Sequence, residues 1–240
     1  GAGHEQMLLR APLGMYLLPA LLGKMLGFRA AELALLVQNA LAVAAILAAG
    51  SLLFARTRDR IIAGIVIVGF SGMDIVGAVL TGHRIDTHLE QWIGIQYSAH
   101  LTQLYWVPQH AVAGWIGALL YLLWRDGKLP LAALLTIAPL LVLLSPLALI
   151  GVVPFAAYAG VVMLSRRRLR LVDIYLPALA VLLVVPSLLY LAAGDGRVGA
   201  GLFHLSAARY IVFLTVEIGL PLFALFRHGR AHHYGWGTSL

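Results

Sequence analysis

The feature that most constrains the fold is a series of seven apolar runs, each bounded by charged or polar residues. Each run approaches the roughly 20 apolar residues that a helix needs to cross a bilayer. Water-soluble domains carry about 25% charged residues, whereas this 240-residue chain has 11% charged and 61% hydrophobic residues. We therefore predict an all-α polytopic transmembrane bundle of about seven spans, forming a single transmembrane domain over residues 1–240. The predicted spans cover about 31–54, 61–80, 108–124, 129–144, 147–164, 172–193 and 209–226.

The 17 basic residues outnumber the 10 acidic ones and give a net charge of +7. Most of them lie in alternate connections between the predicted spans, a pattern that marks the cytoplasmic side and favours contact with anionic lipid. We therefore expect membrane lipids rather than nucleic acid as partners, a bacterial cytoplasmic membrane as the location, and a cytoplasmic C-terminus. The basic connections contain Arg56, Arg58, Arg60, Arg125, Lys128, Arg166, Arg167, Arg168, Arg170, Arg227 and Arg230.

This orientation makes residues 1–29 an outer interfacial segment. Pro19 and Lys24 interrupt the apolar run from Leu13 to Phe28, so the run predicts an interfacial or re-entrant helix rather than a span. A basic N-terminal segment is not expected to cross a membrane unaided. We therefore expect the native protein to have an earlier spanning helix upstream of Gly1.

Ionisable groups inside the predicted spans are few. A charged side chain costs about 2.5–3.5 kcal/mol at the centre of an inserted helix, so each one calls for an explanation. Asp74 lies between Gly72 and Gly77, and we expect it to be functional. For Glu217 we expect a structural partner, an arginine or a buried hydroxyl, with a proton-relay or substrate role as the alternative. The hairpin that turns at Ser145 carries little that is polar and is expected to be scaffold.

The densest group of polar residues lies in the predicted outer functional loop, residues 81–107, and extends to His110. It includes His83, Arg84, Asp86, His88, Glu90, His100 and His110. We expect a second interfacial or re-entrant helix in the 88–107 part of this loop. If it covers Leu89 to Leu104, Gln96, His100 and Gln103 share one polar face. The aromatic side chains of this segment are then expected at headgroup level. They are Trp92, Tyr97, Tyr105 and Trp106.

Three chemistries fit this loop. In the first, Asp74 or Glu90, with His88 beside them, forms the catalytic group that deprotonates an acceptor hydroxyl, while Arg84 and histidines hold the phosphate of a lipid-linked sugar donor. In the second, His88, Glu90 and His100, with Asp74, bind a divalent metal. In the third, the same residues line a pathway for protons or a small solute. A loop that is simply packed by hydrogen bonds remains the non-functional alternative.

A second predicted outer loop, residues 194–208, is rich in glycine. Arg197 and the adjoining Arg209 are candidates for binding phosphate, because a guanidinium forms two parallel hydrogen bonds with it. His204 lies in the same segment. The candidate substrate-binding and phosphate-binding residues are therefore Arg84, Gln96, His100, Gln103, His110, Arg197, His204 and Arg209.

Two stretches carry a family resemblance. The string RAPLGMYLLPALLGKMLGF, followed by a long apolar helix, resembles the region after the first outer loop of GT-C type membrane glycosyltransferases. The strings FSGMDIVG, HLEQW and QYSAHLTQLYWVPQHAVAGW resemble bacterial polytopic proteins of the same general appearance. The resemblance covers roughly the first half of the chain and implies sugar transfer from a polyprenyl-phosphate carrier.

The chain also departs from that family. GT-C enzymes carry a catalytic acid in their first outer loop, and residues 1–12 supply only Glu5. The family's acid would then lie upstream of Gly1, and the family does not itself assign Asp74, His88 or Glu90 to catalysis. Our leading prediction is a glycosyltransferase that uses a lipid-phosphate-linked sugar at the outer face. The alternatives are a proton- or ion-coupled transporter or channel, in which Asp74 and Glu217 carry the charge, and a membrane scaffold without activity.

Overall fold

The computed structural model describes residues 10–84, 89–95, 98–193 and 206–223, and these ranges are helical with no strand. The prediction of an all-α fold is confirmed. The helices are α1 Leu17–Leu26, α2 Phe28–Ser51, α3 Thr57–Gly69, α4 Asp74–Thr81, α5 His100–Trp106, α6 Pro108–Arg125, α7 Leu131–Leu140, α8 Pro146–Ser165, α9 Val172–Ala192 and α10 Ala207–Leu214. Three 3-10 turns, Gly14–Tyr16, Leu89–Gln91 and Leu141–Leu143, and a π-helical segment, Thr215–Gly219, complete the list.

Three helices, α2, α8 and α9, are long and apolar enough to cross a membrane by length and composition. A fourth span is possible if α3 and α4, which are bent by 48° at a short break, count as one. The apolar segments Gly14–Leu26 and Leu131–Leu143 are shorter. By length and composition the described residues therefore give three to four spans, and the seven predicted are not confirmed. One reason is that two predicted spans are interrupted, at the break between α3 and α4 and at the 3-10 turn that follows α7.

The described residues divide into two compact units. The first comprises Gly1–Gly64 and Val107–Gly196, and so contains α1, α2 and α6 to α9. Its core includes Leu120, Leu131 and Leu134. The outward surfaces of its longest helices are apolar, since side chains such as Leu182 and Leu183 of α9 are about two-thirds exposed. Exposed leucine at this density is expected of a helix that faces lipid.

The N-terminal segment of the first unit forms a 3-10 turn and then α1, in the region where the sequence predicts an interfacial or re-entrant helix. Gly27 follows α1 with φ of +95°, a conformation that glycine adopts readily, and the chain then enters α2. Side-chain hydrogen bonds hold the turn to other helices. The Gln38 amide donates to the Met15 carbonyl at 2.8 Å, and the Tyr16 hydroxyl donates to Gln109 Oε1 at 3.0 Å.

The second unit comprises Ile65–Trp106 and Arg197–Leu240, and so contains the end of α3 together with α4, α5 and α10. Its core consists of Ala78, Trp92, Phe213 and Val216. The indole of Trp92 stacks on Phe213 with a centroid distance of 6.0 Å. This small core joins α4 and the segment that begins with the Leu89–Gln91 turn to α10 and the π-helical segment, and these elements carry Asp74, Glu90 and Glu217.

Candidate functional site

The break between α3 and α4 is the structural basis of the candidate site. A helix that stops inside a membrane leaves carbonyl groups at one end and N–H groups at the other without partners, and these need protein partners in the absence of water. His100 supplies two such hydrogen-bond partners, both donors, at the end of α3. Its Nδ1 lies 2.5 Å from the Ile67 carbonyl oxygen, and its backbone N–H donates to the Phe70 carbonyl at 2.9 Å. Because a carbonyl only accepts, Nδ1 carries the proton in this arrangement.

Glu217 satisfies the other side of the break. One of its carboxylate oxygens accepts a hydrogen bond from the Met73 backbone N–H at 2.7 Å, at the start of α4. The other accepts from Trp92 Nε1 at 3.1 Å. Carboxylates are stabilised at helix N-termini because the helix dipole is positive there. The expected structural role of Glu217 is therefore present, although its partners are a backbone amide and an indole rather than an arginine or a hydroxyl.

Glu217 lies on the π-helical segment Thr215–Gly219, directly after α10. A π segment inserts an extra residue into a helical turn, and such segments occur frequently at functional sites. The side chain is buried, with 5% of its surface exposed. The carboxylate is thus fixed at its position by the local backbone and by two hydrogen bonds.

Asp74, the first residue of α4, is buried beside Glu217. Its carboxyl group is within interaction range of the Glu217 and Glu90 carboxylates and in hydrogen-bonding reach of Glu217. Asp74 Oδ1 has no hydrogen-bond partner within the described part of the chain. Buried carboxyl groups are costly in a membrane protein, so two of them in one small core mark a candidate functional site. The structure therefore brings Asp74, Glu90 and Glu217 together in one unit.

Glu90 has a different environment from Asp74. Its Oε1 accepts from the Ala99 backbone N–H at 3.2 Å and from the Thr102 hydroxyl at 3.3 Å. Both groups belong to the first turn of α5 or immediately precede it, so Glu90 caps that helix. These contacts give Glu90 a positioning role that its sequence position did not reveal.

A helix does lie in the 88–107 loop, but it is α5, His100–Trp106, and it does not extend over Leu89 to Leu104. Residues Leu89–Gln91 form a 3-10 turn, Gly94 has a positive φ of +81°, and α5 begins only at His100. The left-handed conformation at Gly94 and the cap formed by Glu90 both separate the turn from α5. Of the residues expected on one polar face, Gln96 lies outside the described residues, His100 bonds to the end of α3, and Gln103 bonds to Ser98.

The expectation that Trp92 belongs to an aromatic belt is also wrong. Its indole is only 4% exposed, contacts Gly77 of α4 and hydrogen bonds to Glu217. A buried tryptophan usually has a hydrogen-bond acceptor for its N–H, and Glu217 supplies it here. Tyr105 and Trp106, by contrast, are strongly exposed, and their position at a membrane interface stays a prediction.

The remaining predicted residues of this unit make local contacts or lie at the surface. The Gln103 amide donates to the Ser98 carbonyl at 2.8 Å. Arg84 and Arg209 are exposed. His88, Gln96, Arg197 and His204 lie outside the described residues. No group of three or more His, Asp or Glu residues suited to a metal ion occurs in the described ranges, so nothing here supports the proposed divalent metal, and His88 is outside those ranges.

His110 belongs to the first unit, in α6, and not to the unit that contains Asp74. Its Nδ1 lies 2.7 Å from the hydroxyl of Ser145, which is 1% exposed. The Ser145 oxygen also accepts from the Ala148 backbone N–H at 3.2 Å and so caps α8. The hairpin turn expected to be scaffold therefore contains a buried serine whose hydrogen bond to the half-buried His110 joins α6 to α8.

Replacing Ser145 by alanine is expected to lower the free energy of unfolding by about 1–2 kcal/mol, because α8 loses its N-cap and His110 loses its partner. The free energy can be measured by denaturant titration in mixed detergent micelles. Ser165→Ala is the matched control, since Ser165 is an exposed serine at the other end of α8 that bonds only to Val162 of its own helix. Equal stability of the two variants would contradict the capping role.

The fold and the site together define an all-α protein whose apolar helices are consistent with an integral membrane protein, with a cluster of buried carboxyl groups beside a broken helix. Comparisons with protein families, curated proteins and solved structures find no match to this sequence.

Proposed function

We propose that the chain is, or is part of, a membrane glycosyltransferase that takes a sugar from a lipid-phosphate-linked donor, with Asp74 as the general base. The observation that carries the proposal is the Asp74 carboxyl group, buried at the start of α4 with one oxygen that has no hydrogen-bond partner among the described residues. A general base needs a free lone pair at the place where the acceptor hydroxyl binds. The resemblance of the first half of the chain to GT-C enzymes supports sugar transfer as the reaction.

The contacts of the three carboxyl groups favour Asp74 over its neighbours. Both Glu217 oxygens accept hydrogen bonds from groups that stabilise the fold, and Glu90 Oε1 accepts two that fix the start of α5. In the proposed step, Asp74 takes the proton of an acceptor hydroxyl. The oxygen then attacks the anomeric carbon of the sugar, and the lipid phosphate leaves with the bonding electron pair.

Arg84 and Arg209 are the proposed phosphate-binding residues. Both belong to the unit that contains Asp74, and both are exposed, as expected of groups that meet a charged headgroup. A guanidinium binds the phosphate of the donor through two parallel hydrogen bonds. Arg197 and His204 are retained as candidates for the same role from their sequence position alone.

The proposed setting is a bacterial cytoplasmic membrane crossed by seven helices, with the basic connections and the C-terminus in the cytoplasm. The placement of basic residues in every second connection supports this orientation. Arg56 precedes α3, Arg125 ends α6, and the basic residues 166–170 join α8 to α9. In this arrangement α6, α7 with its 3-10 extension, and the helix that begins with α10 complete the seven spans. The carboxyl cluster then serves substrates at the outer face.

Asp74→Asn is expected to reduce sugar transfer at least 100-fold, because a positioned general base contributes about 100- to 10,000-fold. The measurement is incorporation of radiolabelled sugar from a polyprenyl-phosphate donor in membranes from cells that express the full-length gene. Glu90→Gln is the matched control. It retains the oxygen that accepts from Ala99 and Thr102, so it should keep activity within about tenfold.

Full activity of Asp74→Asn at equal expression would remove Asp74 from catalysis. Loss of activity in Glu90→Gln, with Asp74→Asn still active, would instead make Glu90 the base. The absence of transfer by the unmodified protein across several donors would contradict the glycosyltransferase proposal as a whole.

The Asp74–Glu217 pair favours one other candidate function, a proton- or ion-coupled transporter. Transporters commonly bind ions where a helix is broken inside the membrane, and this pair lies beside the break between α3 and α4. In that case liposomes containing the protein should show proton or solute flux that Asp74→Asn abolishes. If the protein is a transferase, radiolabelled sugar should be incorporated and the liposomes should show no proton or solute flux.

A further inference from the structure

The first unit contains a cleft of about 240 Å³ that lies apart in sequence from the carboxyl cluster. Its walls come from residues 12–17 of the N-terminal segment, from the Leu141–Leu143 turn and from the last turns of α9. Apart from Ser187 and Tyr190, its side chains are aliphatic. Pockets for drug-sized ligands have volumes of about 300–1,000 Å³. The cleft therefore has room for part of one hydrocarbon chain, and it is too apolar for a headgroup.

A positive charge is held beside this cleft. The Arg10 guanidinium lies over the ring of Tyr190, with its carbon 5.0 Å from the ring centroid, and it donates to the Tyr190 carbonyl at 3.1 Å. One of its five N–H groups makes that bond, and the guanidinium presents a planar fork that suits phosphate. An apolar cleft with an arginine at its edge has the charge and the chemistry to bind an anionic lipid.

The wall of the cleft is rigid on the N-terminal side. A Cβ atom added to Gly14 would lie only 2.9 Å from the carbonyl carbon of Leu143, so the turn packs directly on the opposite backbone. Hydrogen bonds from Gln38 and Tyr16 fix the same turn to α2 and α6. The cleft is thus a preformed feature of the first unit and does not depend on side chains moving aside.

We propose that this cleft binds an anionic phospholipid, with part of one acyl chain between the N-terminal turn and α9 and the phosphate on Arg10. The proposed occupant is a membrane phospholipid, because the exposed leucines of α9, which forms one wall of the cleft, indicate a surface that meets the bilayer. The lipid anchors the N-terminal segment to α9. This inference is independent of the proposed sugar transfer.

Native mass spectrometry of the purified full chain tests the proposal, with phosphatidylglycerol and phosphatidylcholine as the added lipids. Phosphatidylglycerol should be retained about fivefold more tightly, since one basic residue near an anionic membrane contributes about 1 kcal/mol. Arg10→Gln should remove that preference. Lys24→Gln is the matched control, because Lys24 is an exposed cation of the same segment that does not line the cleft. Ser187→Phe, which fills the cleft, should weaken retention of both lipids.

Equal effects of Arg10→Gln and Lys24→Gln would show general surface attraction and would overturn the proposal. Tighter retention of polyprenyl phosphate than of phosphatidylglycerol would overturn the choice of phospholipid. Photolabelling of the unmodified protein tests the site without any variant, so it does not depend on whether a variant folds. A phosphatidylglycerol with a photoreactive diazirine in its acyl chain should label Leu13, Leu17 or Leu191, and labelling confined to other segments would contradict the site.

Discussion

Glu217→Leu is expected to lower the free energy of unfolding by about 2–6 kcal/mol. The substitution removes the acceptor for two donors, the Met73 backbone N–H and the Trp92 indole N–H. Each buried donor left without a partner costs about 1–3 kcal/mol. Water cannot replace the lost acceptor easily, because Glu217 and Trp92 are both at least 95% buried. The free energy is measured by denaturant titration in mixed detergent micelles.

Glu32→Leu provides the matched control, because Glu32 is an exposed glutamate in α2 and the same side chains are exchanged. Its effect should stay within about 0.5 kcal/mol, as for most surface substitutions. Amide hydrogen exchange gives a second readout that is specific to the contact. In Glu217→Leu the Met73 amide should exchange faster, whereas the amides inside α8 should not change. Unchanged protection of Met73 would contradict the hydrogen bond that holds the start of α4.

The sequence predicted much of the fold because membrane helices follow from composition and run length alone. The helical ranges of α2, α8 and α9 overlap the predicted spans, because length and mean hydropathy are enough to identify them. The number of spans was not confirmed. Breaks at the end of α3 and after α7 depend on local backbone conformation, which an average over a run of residues does not record. Gly72 has a φ of +79° in the first break, and its presence in the sequence gave no indication of where the chain bends.

The candidate site was predicted in part. Asp74 and Glu90 were selected as ionisable groups near one loop, and the structure places them in one cluster with Glu217. The pairing with Glu217 could not be predicted, because the two acids are 143 positions apart and only tertiary packing brings them together. Trp92 was misplaced for a similar reason. Its amphipathic ring suits an interface or a buried site with an acceptor, and the acceptor comes from a distant helix.

Trp92→Ala is expected to lower the free energy of unfolding by about 3–5 kcal/mol, as for other large-to-small changes in a core. The indole packs against Phe213, Ala78 and Val216 and donates to Glu217. Its removal leaves a cavity at the centre of the second unit and one Glu217 oxygen without its donor. Because this core is small, the loss is expected to be a large share of the unit's stability.

A substitution at Gly77 tests the contact between α4 and the Trp92 indole from the α4 side. A Cβ atom at Gly77 would overlap the indole ring of Trp92, so Gly77→Ala forces either the ring or α4 to move. Overpacking of this kind costs about 1–3 kcal/mol, although alanine is favoured over glycine in a helix by about 0.5–1 kcal/mol. The control is Gly114→Ala in α6, where the added Cβ meets no atom within 4 Å. That variant should be neutral or slightly more stable.

A double-mutant cycle of Gly77→Ala and Trp92→Ala separates the loss of stability caused by the contact between the two residues from effects of either substitution alone. Once the indole is gone, the added methyl group has space, so Gly77→Ala should be neutral or stabilising in the Trp92→Ala background. The coupling energy between directly contacting residues is expected to be about 1–3 kcal/mol. Strict additivity would mean that Gly77→Ala acts on α4 alone, and it would contradict direct packing of the Trp92 indole on Gly77.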